Sequence, residues 1–253
     1  MIFPLFWMII LSLKKYPKTF SDLSYLLFSE YSIQNYVDTL QTDNFGLYFL
    51  NSILVVLIVT VGNVLFCYTV AYALSRRNFK YQNLILISIL SILTIPPHVI
   101  MIPLYDMMVV FGWINTYYAL TIPWLITPFG IFLVYQYLKS IPFEIEEAAK
   151  IDGASDFRII YFLIMPIAKP ILSVLFLFTL LSNWNSFLFP FLLTNDEAHR
   201  TLPVGLAFYL GKQSIDWGHL MAGASIAALP VLILYLIFQK EIIKSLTAGA
   251  LKD

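Results

Sequence analysis

Five long stretches of this sequence carry almost no charged side chains, and they limit the possible folds more than any other feature. A bilayer core is about 30 Å thick, and a helix needs about 20 apolar residues to cross it. The stretches that reach this length are residues 47–74, 84–111, 117–138, 171–193 and 220–238. Only 12% of the chain is charged, against about 25% in soluble domains. The sequence therefore excludes a small soluble enzyme and predicts an all-α integral membrane protein.

A sixth apolar run, residues 1–13, is too short to cross a bilayer as a helix. We interpret it as a truncated first span, which a start site placed too far downstream would explain. A cleaved signal peptide is the weaker alternative, because no basic residues precede the run and no small-residue cleavage site follows it. With this run included, the prediction is a polytopic bundle of about six transmembrane helices.

The distribution of Lys and Arg predicts the orientation of these spans. With six spans and a cytoplasmic N-terminus, the cytoplasmic segments hold more Lys and Arg than the outside segments do. Such an excess marks the cytoplasmic side, although the cluster Lys14, Lys15 and Lys18 opposes it. We therefore expect both termini in the cytoplasm. The outside segments 14–46, 112–116 and 194–218 are predicted to be loops, the second of them a tight turn.

The cytoplasmic segment 139–170 differs from every other loop, because it is long, carries charges of both signs and has the pattern of a helix. Pro142 suits the start of a helix, and the carboxylates of Glu144, Glu146 and Glu147 suit its first turns, where the helix dipole favours negative charge. Gly153 supplies a stop. The residues that recur at three- and four-residue spacing on the predicted helix 143–152 are Ile145, Ala148, Ala149 and Asp152.

A face with two alanines, flanked by carboxylates, permits close docking against another protein. After it, Ser155 can cap a second helix, and Pro166 and Pro170 are expected to bend the chain back into the membrane. The alternative for this segment is a solvated amphipathic connector of the kind that any polytopic protein contains.

Polar residues within the apolar stretches are few. His98 follows Pro96 and Pro97, which must interrupt a helix, so it either satisfies backbone carbonyls or faces a wet cavity. Asp106 is predicted to be solvated or capping. A polar patch interrupts the stretch 171–193 and should face protein or water rather than lipid; it comprises Asn183, Trp184, Asn185 and Ser186. These side chains suit either sugar recognition or contacts between helices.

No catalytic residue, metal site or cofactor is predicted for the chain itself. The single cysteine, Cys67, lies in an apolar run and allows no intrachain disulfide. No phosphate-binding loop of the form G-x4-G-K-[ST] occurs, so the energy for any ATP-driven process must come from a partner. No nucleic-acid partner is predicted, and membrane lipid is expected around the spans.

The segment 139–170 contains a motif with fixed spacing. Glu147, Ala148 and Ala149 are followed after three residues by Gly153, and after nine more by the sequence Leu-Ile-Met-Pro that ends at Pro166. This pattern resembles the EAA motif of binding-protein-dependent ABC importer permeases, E-A-A-x3-G-x9-I-x-L-P, with apolar replacements at two positions. The resemblance extends over nearly the whole chain and is strongest to the maltose-type, MalG-like sugar permeases.

The resemblance implies a type I ABC importer permease fold, with one transmembrane permease domain over residues 1–253 and a cytoplasmic coupling loop at 140–170. It implies that Glu147 makes the polar contact with an ATPase, that Ala148 and Ala149 make the close contact, and that Gly153 makes the turn. The implied partners are a second homologous permease, two ATPase subunits and an extracytoplasmic sugar-binding protein, all at a bacterial plasma or inner membrane.

Other functions stay open at the level of sequence. One alternative is an importer of this kind for another small solute, such as a glycerol phosphoester or an oligopeptide. From other classes, the alternatives are an ion-coupled carrier and a membrane scaffold that transports nothing. Ion coupling usually requires ionisable groups within the spans, and among the five long stretches only 84–111 holds any, His98 and Asp106.

Overall fold

The computed structural model of the chain describes residues 3–15, 30–41, 44–210 and 215–250, with side chains described through residue 238. Almost all of these residues lie in helices or short turns, and Lys14 and Tyr31 form an isolated antiparallel β-bridge. The α-helices are Phe3–Ser12, Gln34–Gln41, Phe45–Arg76, Gln82–Ile92, Met101–Val110, Tyr117–Thr121, Pro128–Lys139, Glu144–Ile151, Asp156–Arg158, Met165–Ile167, Lys169–Trp184, Leu188–Leu193, Leu202–Phe208 and Trp217–Ala250. Two 3₁₀ segments, Pro97–Ile100 and Ile122–Trp124, and a π-helix, Ile159–Ile164, join some of them.

The chain divides into two compact units. The first unit comprises residues 1–53 and 185–253, and its centre is the helix Trp217–Ala250, against which Phe3–Ser12 and Gln34–Gln41 pack. Asn35 stabilises the end of the helix Phe3–Ser12, because its side-chain amide donates hydrogen bonds to the carbonyls of Ser12 and Lys14, each at 2.8 Å. Ser12 is the last residue of the helix and Lys14 lies just beyond it, where no intrahelical donor is available to these carbonyls.

The second unit comprises residues 54–184 and contains the segment 139–170. Its hydrophobic core forms where the helices Phe45–Arg76, Pro128–Lys139 and Lys169–Trp184 meet the segment that follows Gly153. The fully or nearly fully buried core side chains include Tyr68, Ala71, Val134, Leu138, Ile159, Ile164 and Leu175. This core positions the segment 139–170.

Three helical segments are long and apolar enough to cross a membrane: Phe45–Arg76, Tyr117–Lys139 and Trp217–Phe238. The second runs from Tyr117–Thr121 through Pro128–Lys139, and the third is the first part of Trp217–Ala250. Two bent helix pairs raise the number to five within the described residues, if each pair counts as one span. The prediction of an all-helical multi-pass membrane fold is confirmed. Phe3–Ser12, with 10 residues, is a shorter apolar helix, so the count of six spans stays a prediction.

The predicted span 84–111 is not one continuous helix. Gln82–Ile92 and Pro97–Val110 meet at an angle of 94°, and the break falls at the Pro96–Pro97 pair, as the sequence predicted. Each proline lacks a backbone N–H and clashes with the preceding turn, so the ladder of helical hydrogen bonds cannot continue through them.

The predicted span 171–193 is wrong in its extent. The helix Lys169–Trp184 ends at the polar patch, and a separate short helix, Leu188–Leu193, follows it. A second bend, of 77°, separates Asp156–Ile167 from Lys169–Trp184. This bend confirms the turn expected from Pro166 and Pro170.

The segments that the sequence places outside contain more structure than predicted. The loops 14–46 and 194–218 include the helices Gln34–Gln41 and Leu202–Phe208, whose short polar or mixed patterns carry little periodic signal. The tight turn at 112–116 is present, with the left-handed backbone conformation that a tight turn demands at Gly112 (φ 66°) and Asn115 (φ 59°). Residues 16–29 and 42–43 of segment 14–46, and residues 211–214 of segment 194–218, lie outside the described residues.

Candidate functional site

The centre of the segment 139–170 is a helix that runs from Glu144 to Ile151, which we call the loop helix. The predicted helix 143–152 is one residue longer at each end, and these two residues, Phe143 and Asp152, flank the observed helix as its caps. Three carboxylates occupy its first turn, where the unpaired backbone N–H groups and the helix dipole favour negative charge.

The loop helix ends in a Schellman motif. The N–H of Gly153 donates to the carbonyl of Lys150 at 3.0 Å, and the N–H of Ala154 donates to that of Ala149 at 2.9 Å. Gly153 has φ 80°, the left-handed conformation that glycine adopts without penalty. Ser155 then caps the next turn, because its hydroxyl accepts a hydrogen bond from the N–H of Arg158 at 3.4 Å. The predicted roles of Gly153 and Ser155 in the backbone are both confirmed.

The structure divides the predicted docking face into two groups. Ile145 and Ala149 are half-buried and pack against the hydrophobic core of the unit. Ala148 and Asp152 are exposed, as is Glu147. Ile151, which the sequence did not single out, is 86% exposed. The solvent-facing part of the loop helix therefore combines the carboxylates of Glu147 and Asp152 with Ala148 and the large apolar side chain of Ile151.

One carboxylate of the loop helix points inward. Glu146 is 2% exposed, and its Oε1 lies 3.1 Å from Nε of Arg76, at the end of the helix Phe45–Arg76, which we call the long helix. These two atoms make an ionic contact without the alignment of a hydrogen bond. The hydroxyl of Tyr72 donates to Oε2 of Glu146 at 2.7 Å.

Arg76 also holds a second element. One terminal nitrogen of its guanidinium donates to the carbonyls of Leu138 and Ile141, at 2.6 and 2.8 Å. Leu138 lies in the last turn of Pro128–Lys139, where carbonyls lack helical partners. The guanidinium therefore joins the end of the long helix, the end of Pro128–Lys139 and the loop helix.

An exposed ion pair lies beside this buried cluster. Arg77 and Asp156 approach to 2.9 Å, with side chains 42% and 59% exposed. The hydrogen bond from Arg77 to Asp156 raises the pKa of Arg77. Exposed pairs of this kind contribute little to stability, typically about 0–1 kcal/mol.

The polar patch predicted in the fifth stretch lies at the end of Lys169–Trp184. The amide of Asn183 donates to the carbonyl of Thr179 one turn earlier, at 2.9 Å, and Trp184 is buried. Asn185 is exposed and Ser186 is partly buried. The four residues thus lie at a helix end rather than in mid-span.

His98 and Asp106 do not share one structural element. His98 lies in the 3₁₀ segment Pro97–Ile100, where its carbonyl accepts from the N–H of Met101, and Asp106 lies in Met101–Val110. Both are exposed in the chain.

Sequence reasoning missed the buried cluster of Tyr72, Arg76 and Glu146. In the sequence, Glu146 is one of three equivalent carboxylates at the start of a predicted helix. Arg76 is one of the basic residues that predict the cytoplasmic side. One signal was present: Tyr72 and Arg76 are four residues apart, so they lie on the same face of a helix. Nothing in the sequence indicated that Glu146 would pair with that face, since 69 residues separate Glu146 and Arg76.

Comparison with known proteins gives consistent results. Residues 68–244 match the family model of the binding-protein-dependent transport system inner membrane component. The chain is 37% identical over 256 residues to the trehalose/maltose transport system permease protein MalG of Thermococcus litoralis, covering 99% of this chain and 91% of the relative. It is 34% identical over 252 residues to the probable ABC transporter permease protein YurM of Bacillus subtilis, covering 99% of this chain and 83% of the relative.

A solved structure shares the fold. A chain from the crystal structure of a bacterial ABC transporter involved in the import of the acidic polysaccharide alginate superimposes with a TM-score of 0.85. The match covers 94% of this chain and 90% of that chain, at 23% sequence identity.

Proposed function

The chain belongs to the family of binding-protein-dependent transport system inner membrane components, and we propose that it is the permease subunit of an ATP-driven importer whose cargo is a carbohydrate. It is a multi-pass membrane protein and a transporter subunit rather than an enzyme. The observation that carries the carbohydrate assignment is the 37% identity to a trehalose/maltose permease along 99% of the chain.

A permease of this family works with an ATPase and with a substrate-binding protein. In our proposal the assembly holds this chain, a second homologous permease, two ATPase subunits and an extracytoplasmic sugar-binding protein. The whole chain would act as one permease domain, with both termini in the cytoplasm and residues 140–170 as its coupling loop.

The geometry of the loop helix supports a coupling role. Glu147 and Ala148 are exposed, together with the apolar Ile151, so they are available to a cleft on the ATPase. Asp152 and Gly153 terminate the helix. Ile145 and Ala149 pack on the hydrophobic core of the unit. In this proposal Glu147, Ala148 and Ile151 make the contact with the ATPase. Ile145 and Ala149 keep the helix in position.

The translocation pathway is assigned to the polar patch at the end of Lys169–Trp184. An indole, two amides and a hydroxyl can stack on sugar rings and bond their hydroxyl groups, and the patch comprises Asn183, Trp184, Asn185 and Ser186. Support for this assignment comes from the exposure of Asn185, because a polar side chain within an apolar span is costly unless it faces water or protein.

Affinity purification of the tagged chain from its host in mild detergent, followed by mass spectrometry, tests the proposal. We expect a second permease, an ATPase and a binding protein to co-purify, and we expect the binding protein to release a sugar on denaturation. A released peptide or phosphoester would overturn the carbohydrate assignment.

The same preparation with Glu147→Gln tests the coupling surface, since the substitution preserves shape and removes the exposed charge. We expect less ATPase to be recovered with this variant, while the second permease is retained. Recovery of the ATPase at the wild-type level would contradict the assigned role of Glu147.

A further inference from the structure

The last three turns of the long helix present a polar stripe to the cytoplasmic segment. Tyr68, Tyr72 and Arg76 follow one another at four-residue spacing and therefore share one helix face. The hydroxyl of Tyr68 donates to the carbonyl of Ile160 at 2.5 Å. Tyr72 and Arg76 bind Glu146, as described above. The long helix thus holds the coupling loop both before and after Gly153.

The ionic part of this contact is buried. The side chains of Arg76 and Glu146 are only 5% and 3% exposed. Removing two charges from water costs about as much as their attraction returns, so the pair is a weak source of stability compared with apolar side chains of the same volume. Separating the charges is different, because each one would then lie unpaired in a medium of low dielectric constant.

Such a pair restricts movement more than it stabilises the fold. The loop helix can lean or slide on its apolar contacts, because hydrophobic contact has no direction. It cannot move away from Arg76 without leaving the buried charges of Arg76 and Glu146 unpaired. The contact with Leu138 and Ile141 extends the restriction to the end of Pro128–Lys139.

We propose that Tyr72, Arg76 and Glu146 form a buried latch that makes the loop helix and the end of the long helix move as one body. In an ATP-driven importer, a displacement of the loop helix by the ATPase would pass through the latch into the long helix. Arg76, Tyr72 and Glu146 are positioning residues in this scheme, and none of them touches the ATPase or the cargo. The inference rests on the proposed function for the source of the movement.

The test compares uptake with ATP hydrolysis in the assembled transporter, reconstituted in vesicles with its ATPase and binding protein. The variants are Glu146→Gln and Arg76→Gln. We expect each to retain ATPase subunits and hydrolysis, while the number of solute molecules moved per ATP falls about tenfold, within the usual range of coupling factors between sites. Arg77→Gln is the matched control, since it removes the neighbouring charge from an exposed pair. It should keep the wild-type ratio.

A single variant leaves one buried charge unpaired and can misfold, so a double variant separates folding from coupling. Arg76→Met with Glu146→Leu removes both charges and keeps apolar volume, which preserves folding. We expect this double variant to assemble normally and to move as few solute molecules per ATP as the single variants do. A wild-type ratio in the double variant, or in Glu146→Gln, would overturn the latch. Absence of uptake or of an ATPase partner in the wild-type preparation would instead count against the proposed function.

Discussion

Gly153 fixes the point at which the loop helix ends. Its φ is 80°, and in the described part of the chain no neighbouring atom lies within 4 Å of the position that a Cβ would take, so its substitution meets a backbone penalty rather than a steric clash. The left-handed conformation is costly for most L-residues, is tolerated by asparagine and is least accessible to β-branched residues. The two Schellman hydrogen bonds depend on this conformation.

Replacement of Gly153 should therefore affect coupling in a graded way. We expect Gly153→Val to destabilise the end of the loop helix by about 1–2 kcal/mol and Gly153→Asn by less. Binding of the ATPase to the purified permease, measured by titration, should weaken in the same order. Equal affinities for the valine variant and the wild type would show that the helix end plays no part in docking.

At the scale of elements, a buried polar junction joins three helices of the second unit. Asn63 of the long helix donates to the carbonyl of Trp124 at 3.0 Å and to Thr127 Oγ1 at 3.2 Å. Its carbonyl oxygen accepts from the hydroxyl of Thr179, also at 3.2 Å. Polar contacts of this kind hold helices together where lipid provides no hydrophobic drive for association.

Gly130 permits the close approach at this junction. A side-chain carbon there would lie 2.8 Å from Cys67 Sγ and 2.9 Å from Thr127 Oγ1. We expect Gly130→Ala to lower the stability of the second unit by about 1–3 kcal/mol, as overpacking does. The loss of stability is measured by comparing the thermal unfolding of the variant and the wild type in detergent.

Gly46→Ala supplies the comparison for this substitution. Gly46 lies at the start of the same long helix, and among the described residues a side-chain carbon there would meet only the carbonyl of Leu40, at 3.9 Å. Because alanine favours a helix over glycine, this variant should unfold at or above the wild-type temperature. A Gly130→Ala protein as stable as Gly46→Ala would show that the junction can relax.

At the scale of the whole molecule, the predicted orientation places residue 78 in the cytoplasm and residue 198 outside. Both positions are exposed, whereas Cys67 is fully buried, so the unmodified chain should react little with thiol reagents. In intact cells we expect a membrane-impermeant maleimide to label Ala198→Cys, and to label Asn78→Cys only after permeabilisation. The reverse pattern would invert the topology.

The sequence by itself determined the membrane class, the approximate positions of most spans and the bounds of the loop helix. These features depend on local physics: an uncharged run of sufficient length needs a membrane, paired prolines break a helix, and Gly153 ends one. The spacing of Glu147, Ala148, Ala149 and Gly153 also indicated the family, because a motif is read along the chain.

Only the tertiary structure decided which side of the loop helix is buried. Glu144, Glu146 and Glu147 are alike in sequence, yet only Glu146 lies against Arg76 and Tyr72. Ile145 and Ala149 turn to the core, while Ala148 stays in solvent. Helical periodicity states which residues share a face, but which face meets the core depends on partners about 70 residues away in the chain, and no local pattern encodes them.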